Sequence, residues 1–152
     1  MACAAEAGLS DGAPAFDFWN QRLYGELQNA IQARLEPSSV LLLSLHERLG
    51  RPQFLATDRH VAQGALELES VEWDAPATTI RGVSLGVLGT DHNLYLYLPE
   101  KHPWRQREPF FYTDFAGYTL QVTEPQILRL HLRFDRTEGV SWEVNLEQLF
   151  SS

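Results

Sequence analysis

Residues 128–135 alternate apolar and polar side chains without a break. In an extended chain this puts Leu128, Leu130, Leu132 and Phe134 on one face and Arg129, His131, Arg133 and Asp135 on the other. Such a pattern predicts a half-buried strand of antiparallel type. Val140, Trp142, Val144 and Leu146 alternate in the same way with Ser141, Glu143 and Asn145. They read as the hairpin partner. A loop at Arg136-Thr137-Glu138, with Gly139 free to take positive φ, sets Leu130 against Val144 and His131 against Glu143, and a two-residue slip pairs Arg133 with Glu143 instead.

Further strands follow from the same period. Val40 to Leu45 and Gln53 to Thr57 read as a pair. Leu66 to Glu69 alternates, and Val71 to Asp74 alternates with its parity shifted at Ser70. One inserted residue, a β-bulge, restores the faces. Leu66, Leu68, Val71 and Trp73 then point inward, and Glu67, Glu69, Glu72 and Asp74 form an acidic outer ridge. Val83, Leu85 and Val87 share a face opposite Gly82, Ser84 and Gly86. Leu94, Leu96 and Leu98 alternate with Tyr95 and Tyr97, and a same-face register lays Tyr95 over Gly86 and Tyr97 over Ser84.

A different period governs the N-terminal part. Phe16, Trp19, Leu23, Leu27, Ala30, Ile31 and Leu35 recur at spacings of three and four, the stripe of an amphipathic helix. Pro14 suits its first turn and Glu36-Pro37 its end. Residues 1–13 read as a flexible leader and 14–152 as a single domain. The expected fold is α+β and strand-dominated. It is a strongly bent antiparallel sheet or open barrel of seven or eight strands, with one N-terminal helix packed on it.

At 152 residues, 44% hydrophobic and 21% charged, the chain has an ordinary globular composition. It can bury a core without a disulfide or metal staple. Cys3 is the single cysteine and has no partner for an internal disulfide. No apolar run approaches the ~20 residues of a membrane span, and the start lacks the basic and apolar regions of a signal peptide. A cytoplasmic location is the default expectation. The net charge of −8 opposes nucleic acid as a partner, and no membrane partner is expected.

Catalytic and cofactor motifs are scarce. There is no phosphate loop, no dinucleotide fingerprint, no His-Glu-x-x-His and no paired-cysteine zinc spacing, so no cofactor and no metal are expected. Gly82-Val83-Ser84-Leu85-Gly86 matches the string of a nucleophile elbow, but it lies inside a strand pattern rather than at a strand-to-helix turn. Carboxylate–imidazole pairs remain, His131 with Glu143 or Asp91 with His92, and they keep a hydrolase in view.

Binding features are stronger. The acidic ridge of Glu67, Glu69, Glu72 and Asp74 suits a basic protein partner. Trp104 with Arg105 and Arg107 combines side chains enriched at interfaces. The first expectation is a non-catalytic interaction or adaptor domain built on these two surfaces. The alternative is a small-molecule or glycan site on the Tyr95 and Tyr97 face, where flat rings stack on a ligand. An exposed edge strand leaves homo-oligomerisation open.

Overall fold

Phe16 and Leu23 oppose each other across a β-hairpin; they do not share a helical stripe. The computed structural model describes residues 2–3, 12–27, 30–31, 33–59, 68–99, 104–113, 118–134 and 139–148. Among these there is no helix. The first strands are β1 (Ala2–Cys3), β2 (Ala13–Asp17), β3 (Arg22–Leu27), β4 (Ala30–Ile31), β5 (Leu43–Leu45) and β6 (Gln53–Thr57). Next come β7 (Leu68–Asp74), β8 (Thr79–Leu85), β9 (Asp91–Tyr97) and β10 (Trp104–Thr113). The last are β11 (Tyr118–Glu124), β12 (Ile127–Arg133) and β13 (Gly139–Gln148).

The N-terminal helix is therefore overturned, and the turn chemistry explains why. Asp17 accepts backbone hydrogen bonds from Trp19 at 3.1 Å and Asn20 at 3.2 Å, and a side-chain bond from Asn20 Nδ2 at 2.6 Å. This closes a tight turn at 18–21, with Gln21 in the left-handed region at φ 54°. Folding back places Phe16 beside Leu23 and Ala13 beside Leu27. A hairpin thus reproduces the three-and-four spacing that a helix would show. Trp19, counted on the stripe, sits in the turn and is 57% exposed. Gly25, which costs a helix interior ~1 kcal/mol, was the contrary signal.

The single bent sheet or barrel is also overturned. The strands form separate antiparallel sheets, none of them closed, ordered β10-β13-β8-β7, β11-β12-β9-β6 and β3-β2-β5, with β1 and β4 as a small pair. The first two sheets share one core. Leu94, Leu96, Leu128, Leu130 and Leu132 from one meet Ile80, Val140, Trp142, Val144 and Leu146 from the other. The apolar face of 128–134 is thus buried as its alternation predicts, against a sheet instead of a helix. A second core lies on the other face of β9, where Phe16 meets Leu55, Ala56, Tyr95, Tyr97 and Ile127. The middle sheet is covered on both faces at that end, so Leu94 through Leu98 are all buried.

The expected hairpin of β12 with β13 does not form. β12 pairs with β9 and β11, and β13 pairs with β8 and β10, so the chain crosses between sheets. Phe134 anchors the crossing. It is buried over Gly86, accepts from Gly89 N at 2.9 Å and donates to Thr90 O at 2.9 Å. Likewise β6 pairs with β9, while β5 pairs with β2. The bulge in β7 is present: Leu68 pairs with Ser84 and Ser70 with Val83, leaving Glu69 as the extra residue. Large rings do cover the small residues, but they are Trp142 at Gly82 in β8 and Phe134 at Gly86 just beyond it, not the tyrosines. No described helix is long and apolar enough to cross a membrane.

Candidate functional site

The outer face of β7, β8 and β13 carries a cross-strand row. Glu72 pairs in register with Arg81, and Arg81 with Glu143. Alternation puts all three on the side away from the core, because their neighbours Trp73, Ile80 and Val144 point into it. The Arg81 guanidinium lies 3.1 Å from Asp74 Oδ2, 3.6 Å from Glu72 Oε1 and 3.7 Å from Glu143 Oε1. Glu69, pushed out by the bulge, reaches toward Gly139 on β13. Three carboxylates thus gather around one guanidinium, and with Glu69 farther along it the face keeps a negative excess. Glu69, Glu72 and Asp74 occupy the ridge expected of them; Glu67 lies outside the described residues. Arg81 was missed. Its signal was a cation in phase with Val83 and Leu85 on an otherwise apolar strand face.

Tyr95 and Tyr97 are brought together, in the second core rather than on an open face, with 2% and 1% exposure. The Phe16 ring lies 4.7 Å from that of Tyr95. Burial, then the Asp58 charge, push the Tyr95 phenol up to about 12, against the opposing charge of Arg129. Tyr97 donates its phenol proton to Glu26, and Gln126 Nε2 bonds the same pair at 3.2 Å and 3.3 Å. These rings act as mortar between sheets. Trp104 and Arg105 take their backbone places in β10 opposite Gln148 and Glu147, and Arg107 falls in the register break between Gln106 and Phe111. Their side chains lie outside the described part of the molecule.

The imidazole pairs are re-sorted. Glu143 belongs with Arg81 in one sheet and His131 lies in the other, so that pair does not exist. His131 instead places Nδ1 2.8 Å from Asn93 Oδ1 and Nε2 3.2 Å from Asp91 Oδ2. Asn93 is held by Asp58 at 2.8 Å and 2.6 Å. No nucleophilic hydroxyl or thiol takes part in this network among the described side chains. His92, the neighbour of Asp91, turns to the opposite face. It is 3% exposed against Phe134, and burial lowers its pKa to about 4. Ser84 is buried too, its hydroxyl accepting from Trp142 Nε1 at 2.9 Å. That satisfies a core indole and removes the serine from nucleophilic chemistry.

A groove opens where β6 and β7, the last strands of the two large sheets, flank one another. It encloses about 280 Å³ and is lined by His46, Glu47, Leu49, Arg51, Gln53, Phe54, Val71, Glu72 and Trp73. Gln53 shapes it by accepting from Leu49 N at 3.2 Å and donating to Glu47 O at 2.9 Å. His46 Nε2 lies 2.7 Å from Ser44 Oγ, and burial lowers the imidazole pKa against an opposing backbone hydrogen bond at Leu55. Among the described residues no group of three or more His, Cys, Asp or Glu side chains is arranged to hold a metal ion.

Comparison with family models, with curated proteins and with solved structures finds no match to this chain.

Proposed function

We propose that this chain is a non-catalytic protein-interaction domain that receives a basic partner on the outer face of β7, β8 and β13. The observation that carries this reading is the row Glu72–Arg81–Glu143 flanked by Glu69 and Asp74. Arg81 holds the carboxylates in a fixed array on a rigid sheet. The remaining negative charge steers a cationic surface toward it and discourages anionic ones. The buried placement of Tyr95, Tyr97 and Ser84 leaves less for a ligand or a substrate to use there.

The test compares two neutralised chains of equal net charge. One is Glu72→Gln with Glu143→Gln. The other is Glu36→Gln with Asp91→Asn, away from this face. Binding of a short arginine-rich peptide is measured by fluorescence anisotropy at several salt concentrations. The first pair should weaken binding and flatten its salt dependence while the second leaves both near wild type. Equal effects from the two pairs would mean that overall charge, and not this face, attracts the peptide.

A further inference from the structure

We propose that the groove between β6 and β7 seats one lysine or arginine side chain of an extended basic peptide, whose backbone lies along the outer edge of β7. This rests on the interaction reading above and names the partner's shape and its anchoring residue. Three features of the groove support it.

The first is topology. Each of β6 and β7 ends its sheet, and among the described residues β7 pairs only with β8. Its outer N–H and C=O groups are a template for one more strand. Glu69, Glu72 and Asp74 make that edge repel a second copy of itself, yet they complement a basic strand.

The second is size. About 280 Å³ lies just below the ~300–1,000 Å³ of pockets that enclose drug-sized ligands. It suits a single long side chain entering from an added strand.

The third is chemistry. Val71, Leu49 and the rings of Phe54 and Trp73 offer apolar wall for an aliphatic stem, and the rings offer π faces to a cation. Glu47 supplies negative charge at the groove for the head group, and the Glu72 carboxylate, engaged with Arg81, adds to the negative field from the outer face. Arg51 is the opposing cation in the lining, and it turns Nη1 back onto the Pro52 carbonyl at 2.9 Å. His46 adds no competing charge near neutral pH, since its burial favours the uncharged ring.

The experiment uses the full chain and two short peptides of alternating arginine and threonine. In the second peptide every arginine is replaced by citrulline, which keeps the shape and removes the charge. Backbone amide shifts are followed by NMR, and affinities by anisotropy. The arginine peptide should bind and shift the amides of Val71, Glu72 and Trp73. The citrulline peptide should bind at least roughly fivefold more weakly. Glu47→Gln, at an exposed position outside the acidic row, should weaken the arginine peptide while Glu36→Gln does not. If the arginine peptide binds but Glu47→Gln is silent and the β7 amides stay put, the groove assignment falls and the acidic-face reading survives. If the citrulline peptide binds equally well, the seat for a cation is refuted. If neither peptide binds, both proposals fall.

Discussion

Trp142 lies across Gly82 and donates its indole proton to Ser84 Oγ at 2.9 Å, joining β13 to β8 inside the principal core. A β-carbon at position 82 would stand 2.5 Å from Trp142 Cζ2 and 2.6 Å from the Ser70 carbonyl oxygen. The second contact is backbone and cannot swing aside. Gly82→Ala should therefore destabilise by about 1–3 kcal/mol or more through overpacking. Ser84→Ala should cost about 1–3 kcal/mol by leaving a buried N–H without an acceptor. Urea unfolding midpoints check both, and a neutral outcome at Gly82 would contradict the ring placement.

His92 gives the fold an acid limit. Its ring nitrogens have no hydrogen-bond partner among the described residues, and burial lowers the pKa from 6.5 to about 4. Below pH 6.5 the unfolded chain takes up a proton that the folded one refuses. Stability therefore falls as pH drops from about 6.5 to about 4, by about 3 kcal/mol in all, and this loss is absent above 6.5. His46 is shifted in the same direction and adds to the trend. His92→Leu should raise stability near neutral pH by about 1–2 kcal/mol, because two unpaired polar atoms leave the core. It should also flatten the acid limb. Midpoints at neutral and mildly acidic pH read both effects, and an unchanged slope in the variant would assign the limb elsewhere.

Arg81 restrains a crowd of like charges. Removing it in Arg81→Gln leaves Glu72, Asp74 and Glu143 facing one another. These are half-exposed groups, so the cost should be modest, about 1 kcal/mol at low salt. It should shrink as salt shortens the screening length to ~3 Å near 1 M. Thermal melts across a salt series test this. A cost that ignores salt would point to lost packing of the arginine stem.

Glu26 and Glu124 hold β3 against the middle sheet. Glu26 accepts from Tyr97, and Glu124 Oε2 accepts from Leu23 N at 2.8 Å. Tyr97→Phe should cost about 1.5–3 kcal/mol, the range for a bond to a charged acceptor. The loss should be local, so amide exchange should quicken across β2 and β3 before β12 or β13. Uniform quickening would show that the N-terminal hairpin is not a separate cooperative unit.

Much of this was legible in the order of residues. Alternation assigned Leu128, Leu130, Leu132, Val140, Trp142 and Val144 to the interior, and they are buried. A parity slip at Ser70 located the bulge that ejects Glu69. The backbone period of two belongs to a strand itself, so such signals need no knowledge of neighbours. The small residues Gly82, Ser84 and Gly86 predicted covering rings, but the rings came from segments distant in the chain. Glu143 read as the partner of His131 and Arg81 drew no reading until register set the two side by side. The groove was invisible, because its walls come from strands of different sheets.

Partner choice is what the tertiary structure decided. Any antiparallel register of correct parity satisfies the local pattern of 128–134 and 140–146 equally well. Only the packing of two apolar faces around Trp142 and Phe134 sends those segments to opposite sheets. The same degeneracy hid the N-terminal hairpin, where Asp17 folds the chain so that Phe16 and Leu23 meet as neighbours on a helix would. One-dimensional order determined which side chains leave water. Three-dimensional packing determined which strands meet, because burial rewards every apolar contact alike while chain geometry allows only some together.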